Sequence, residues 1–137
     1  MWNDEPNEKY FEIIQEHKDR IIIELAGHDH FPSLRVHQDD DGDLFHNLFI
    51  APSITPWYEN NPGVTSFEID DDTLVPSKLR STFLNLRPTI DQDEETPFEQ
   101  LEFRELDYEE AFGITDMTTT SIWNFAQRLA ADDDLHN

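Results

Sequence analysis

The sequence predicts a mixed fold, α+β or α/β, and three features carry that prediction. A helix-period stretch opens the chain, a β-branched run and several alternating segments fill its middle, and helix-period residues return near its end. Between Glu8 and His17, residues Tyr10, Ile13, Ile14 and His17 fall at i, i+3, i+4 and i+7, so a short helix is expected to bury that face. His17 then belongs to the core or its boundary. The run Ile21–Ala26 is rich in β-branched residues without alternation, which predicts a strand covered on both sides.

The remaining elements follow in order. Ser33–His37 alternates polar and apolar residues, and Leu44–Ala51 resumes after the charged turn Gln38–Asp43, so the pair reads as a hairpin with a long tip. His37 and His46 lie on its two arms, able to face each other, and read as surface residues. Asp39, Asp41 and Asp43 invite a calcium-loop reading, but the glycine falls at loop position 4 and position 12 is Ile50, so the required pattern fails. Pro52–Gly63 is dense in turn formers and predicts a structured loop. Val64–Ile69 and Lys78–Leu86 are further strands. Arg87–Pro97, with two prolines and five successive acidic or amide residues, predicts a mobile connection. Beyond it the chain is helical in character: Phe98–Phe112 is a mixed stretch whose end, Tyr108–Phe112, is stopped by Gly113, and Thr118–Ser121 offers N-caps to a last helix with Ile122, Phe125, Ala126 and Leu129 on one face. Asp132–Asp134 opposes the dipole of that helix at its C-terminus, where fraying is expected.

Bulk chemistry narrows the function. Nine Lys plus Arg against 31 Asp plus Glu give a net charge of −22, a field that repels phosphate backbones and anionic lipid. Nucleic acid is therefore excluded as a partner. Aromatics are spread along the chain with the aliphatics, which argues for a folded domain despite that charge. With no cysteine there is neither a disulfide framework nor a thiolate metal ligand. No apolar run approaches the roughly 18 residues of a transmembrane helix, and the acidic start shows no signal or transit pattern, so the compartment is left open.

The stretch that carries chemistry is Gly27-His28-Asp29-His30, directly after the Ile21–Ala26 run. Two imidazoles one residue apart at the end of a strand can face two neighbouring divalent ions, with zinc first and iron or manganese as alternatives. The chemistry suggested is metal-assisted hydrolysis. Asp29 reads either as a carboxylate orienting a histidine or as a loop-stabilising residue. Trp57 and Tyr58 border a substrate cleft or pack their own loop. No nucleophile triad and no phosphate-cradling glycine loop is present.

Taken together these blocks resemble the C-terminal part of the calcineurin-like metallophosphoesterases, most closely the acid-sphingomyelinase-like branch. Gly27–His30 is similar to the last metal motif of that family, Gly-His-Thr/Ser-His. Phe49–Thr55, Asn61–Gly63 and Phe67–Asp70 resemble the strand, loop and strand that follow it, and Thr82–Leu86 and Phe112–Met117 its distal strand and tail. The resemblance runs from about Tyr10 to Leu129. It implies a two-sheet sandwich, incomplete here, over 1–90 and an acidic connection with a helical tail over 91–137. It implies that His28 and His30 each hold one of two divalent metals, with Trp57, Tyr58 and Asp29 at the cleft. Asp29 departs from the motif, and the cysteines of the branch are missing. The upstream Asp-x-His, bridging Asp and Asn-His ligands have no counterpart among the 26 residues before Gly27. The expected function is thus a fragment or subunit of a metal-dependent phosphodiesterase, its two metals bound only if other residues complete the site. The alternative is a non-catalytic relic serving as a structural subunit. Either needs a protein partner to complete or cover the truncated fold, and the family leans toward secretory or lysosomal compartments.

Overall fold

The computed structural model describes residues 4–86 and 101–131. Helix α1 (Asp4–Glu16) precedes three strands, β1 (Glu24–Ala26), β2 (Ser33–Gln38) and β3 (Leu44–Ile50). After a loop containing a single turn at Trp57–Glu59 come β4 (Gly63–Ile69), β5 (Pro76–Asn85) and β6 (Glu102–Asp107). Helices α2 (Tyr108–Phe112) and α3 (Thr119–Ala131) follow. The strands form two three-stranded sheets, ordered β1-β3-β2 and β4-β5-β6, and the fold is α+β. The expected connection Arg87–Pro97 and the acidic run Asp132–Asp134 lie outside the described residues.

In the first sheet β3 is central: β1 pairs with it in parallel, Glu24 opposite Leu48 to Ala26 opposite Ile50, and β2 pairs with it antiparallel. The hairpin tip is built by Asp39, whose carboxylate accepts from the backbone of Asp41 (3.1 Å) and Asp43 (2.8 Å), as an Asx residue does. The second sheet is an antiparallel meander. Its outer face is laced by ion pairs, Arg80 to Asp107 at 3.1 Å and Lys78 to Glu68 at 2.7 Å, whereas Leu79 and Ser81 of β5 turn inward and are buried.

The core lies between the sheets and the C-terminal elements: Phe49, Leu79, Tyr108, Ile114, Met117 and Ile122. Residues on both sides of position 90 share it. Asn47, 1% exposed, reaches from β3 to donate its amide to the Met117 carbonyl at 2.7 Å, tying the first sheet to the segment that launches α3. Thr118 caps that helix, its hydroxyl accepting from the Ser121 N–H at 3.2 Å. Asp107 caps α2, and Gly113 ends it in the left-handed region at φ 65°, where an added Cβ would meet the Arg128 guanidinium at 2.9 Å.

Four expectations are corrected. The strand at Ile21–Ala26 is confined to Glu24–Ala26 and is not covered on both sides: Leu25 is 53% exposed, because among the described residues no element packs over the face that carries it. The buried face of α1 is Tyr10, Phe11 and Ile14 rather than the expected four. Ile13 is 46% exposed, and His17 lies exposed in the turn after the helix. The region after position 100 is not helical throughout, since Glu102–Asp107 is the third strand of the second sheet and its backbone is satisfied by β5. His46 is not a surface residue; it is 2% exposed and its Nε2 lies 3.0 Å from Glu24.

These placements separate two substitutions. Asn47→Ala leaves the Met117 carbonyl without its donor inside the core and is expected to lower the unfolding free energy by about 2 kcal/mol, read as a lower urea midpoint at unchanged slope. Ile13→Ala, on the exposed side of α1, is expected to shift it by less than about 0.5 kcal/mol.

Candidate functional site

Topology brings the histidines to a particular place. Because β1 and β2 flank β3, the connection from Gly27 to Pro32 must arch over the end of β3, where the Ala51 N–H donates to the Ala26 carbonyl at 2.8 Å. The chain leaving β3 enters the Pro52–Pro62 loop at that same point. Two loops far apart in sequence therefore meet at one end of the sheet.

The meeting is pinned by one carbonyl. The backbone oxygen of His30 accepts from the Asn60 side-chain amide at 2.7 Å and from the Ser53 N–H at 3.3 Å. Both loops carry strained backbone there: His28 and His30 sit at φ 85° and 67°, Tyr58 and Glu59 at 70° and 62°. Such conformations in non-glycine residues cost on the order of 1 kcal/mol each, and they persist only where surrounding contacts hold them.

Between the loops lies a cavity of about 530 Å³ lined by His28, Asp29, His30, Thr55, Trp57 and Tyr58. All five residues singled out in the sequence thus line one space. His30 is half-buried and tilts against Tyr58 with ring centroids 5.8 Å apart, and Tyr58 meets Trp57 edge to face at 6.1 Å. Trp57 and Tyr58 remain 64% and 67% exposed, so they form a wall and not a core. Asp29 is paired at 3.2 Å with Arg35 of β2, and with both side chains 52% exposed the pair is a weak surface contact.

The polar inventory bears on what the cavity can hold. Nδ1 of His30 is shielded from solvent and has no hydrogen-bond partner among the described residues, a ring nitrogen of the kind that a metal or a donor from another chain relieves. Two imidazoles on one loop suit borderline-soft divalent ions. Among the described residues, however, no group of three or more His, Cys, Asp or Glu is disposed to bind a metal. The residues fit a shared site as two of its ligands and do not close one.

Two residues that shape this cavity were not singled out in the sequence. Thr55 lines the cavity, and Asn60 holds the histidine loop from the opposite side. Both sit in a run of turn formers, and a turn signal does not say which side chain reaches across to another loop.

No family model matches the chain. Among curated proteins it is 34% identical over 135 residues to acid sphingomyelinase-like phosphodiesterase 3b of Mus musculus, covering 92% of this chain and 28% of that protein. The Homo sapiens protein of the same name is 33% identical, with 92% and 29% covered. Cyclic GMP-AMP phosphodiesterase SMPDL3A of Rattus norvegicus is 29% identical over 133 residues, 93% of this chain and 29% of that protein. The chain spans less than a third of the length of these relatives and aligns with their C-terminal part. Identity of 33–34% along nine-tenths of its length makes the chain a member of the acid-sphingomyelinase-like phosphodiesterases, a branch of the calcineurin-like metallophosphoesterases.

Proposed function

We propose that this chain supplies the C-terminal part of a two-metal phosphodiesterase site, with His28 and His30 each a ligand to one of two divalent ions, zinc before iron or manganese. The observation that carries the reading is convergence: both imidazoles and the Trp57–Tyr58 wall line one cavity, and the His30 ring there keeps a shielded Nδ1 with no hydrogen-bond partner among the described residues. Closed and catalytic metal sites take three or four protein ligands, so two histidines require the remainder from elsewhere. The relatives are more than three times as long as the matched stretch, and the part this chain lacks is the natural source of those ligands.

Two bound divalent ions would supply Lewis-acid activation of a water and charge stabilisation at the phosphoryl oxygens. This chain's own side chains do the rest on their side of the cleft. The strained loop holds the imidazoles at the rim, the Asp29 carboxylate stands beside them in its exposed pair with Arg35, and Trp57 and Tyr58 present apolar faces to a group esterified to the phosphate. The substrate class is a phosphodiester, a phospholipid or a related compound.

A second reading, a non-catalytic subunit built on the same fold, is favoured by one specific observation. Leu25 of β1 and Ile22 just before it are 53% and 37% exposed, apolar surface that a partner chain would cover in any assembly, active or not.

Natively purified material distinguishes the two. About two zinc, iron or manganese ions per complex, with hydrolysis of a chromogenic phosphodiester abolished by His30→Ala, is the expected result and would sink the structural reading. Metal-free, inactive material that copurifies with unrelated subunits overturns the enzymatic one. In the active complex Trp57→Ala is expected to raise KM about tenfold while kcat changes less than about twofold, the pattern of a lost binding wall.

A further inference from the structure

Away from the histidine cavity, the structure gathers a second set of titratable groups under α1. Glu24 of β1, His46 of β3 and Tyr10 of α1 meet at one carboxylate oxygen. The Tyr10 hydroxyl donates to it, and His46 Nε2 lies 3.0 Å from it. An ionised carboxylate only accepts, so Nε2 of His46 carries the hydrogen. His37 lies opposite His46 in the β2–β3 register, and the two rings stack with centroids 5.9 Å apart and planes 12° from parallel. Onto the other side of His37 packs Phe11 of α1, edge to face at 4.8 Å.

Helix α1 is otherwise lightly held. Of its residues only Ile14 is buried and only Tyr10 and Phe11 are half-buried. Two of its three inward side chains thus end on the histidine pair or its carboxylate.

We propose that His37 is an acid-sensitive latch for α1: the helix docks on the uncharged His37 ring, itself stacked on His46, and is released when His37 takes up a proton. A charge on His37 would face His46 across the stack, and Arg35 on its own strand also repels it. Glu24 is the attraction that opposes them. On the open side, a cavity of about 420 Å³ is lined by Phe11, Gln15, His37, Phe45 and the acidic turn Asp39–Asp41. That turn offers a protonated ring a better neighbour than Phe11 does, which draws it away from the helix. Consistently, burial first, then His46 and Arg35, hold the His37 imidazole below its ordinary range.

The sign follows from that direction. A histidine held below its ordinary value favours the docked state fully above about pH 6.5, and the preference is lost as pH falls through that value. At pH 5.5 a released imidazole of ordinary pKa is about ten parts protonated to one, so docking weakens by at most about tenfold.

Hydrogen exchange on the full chain at pH 7.5 and 5.5, corrected for intrinsic rates, tests this. The expected result is a several-fold to about tenfold loss of protection confined to residues 4–16, with β4 and β5 unchanged, and no such loss in His37→Gln. Unchanged protection of α1 in the natural sequence, a loss shared equally by β4 and β5, or an undiminished loss in His37→Gln overturns the proposal. Should His37→Gln fail to fold, the natural sequence still decides by NMR. A His37 ring titration sharing its midpoint with the loss of α1 protection supports the latch, and midpoints more than about one pH unit apart refute it.

Discussion

The pairing of β3 on both sides is the constraint on which the rest of the structure depends. Its parallel contact with β1 is only three residues long, yet it decides where the chain must turn, because the next strand lies on the opposite flank of β3. The histidine loop has no route except over the exit of β3. Among the described residues β1 pairs with β3 alone, and Leu25 on it is 53% exposed.

From β3 the same logic runs to the C-terminal elements. Asn47 and Phe49, two residues apart and so on one face of β3, supply the cross-tie to Met117 and a part of the core. The tie fixes the start of α3, whose Ile122 closes the core that Leu79 of the other sheet completes. Rigidity at this centre allows strain at the rim. Four non-glycine residues with positive φ line or adjoin the two loops that face each other, and the His30 carbonyl bonded to Asn60 keeps those loops in register.

Much of this was legible in the residues. The hairpin Ser33–Ile50, the strands around Val64 and Leu79, the glycine stop at Gly113 and the capped final helix all follow from period, turn chemistry and capping, which are local. The errors share a cause. Ile13, His17 and Leu25 were expected to be buried from period or apolar content, but burial requires a neighbour, and neither helix α1 nor edge strand β1 has one on that side. His46 is the converse case. It sits beside Glu24, 22 residues earlier in the chain, and only the parallel pairing of β1 and β3 makes them neighbours.

By itself the sequence determined the chemical character of the protein: an acidic, cysteine-free chain of mixed helix and strand with a Gly-His-Asp-His motif at a strand end, resembling the acid-sphingomyelinase-like phosphodiesterases to which it is 34% identical. These are properties of residue type and spacing, and they survive without coordinates. Tertiary structure alone decided that Thr55, Trp57 and Tyr58 stand across one cavity from His28 and His30, that Asn60 holds the loop between them, and that His37 and His46 stack beneath a lightly docked helix. Each of these joins residues separated in the chain through the order of strands in a sheet, and hydrogen-bond pairing between distant segments is what sets that order.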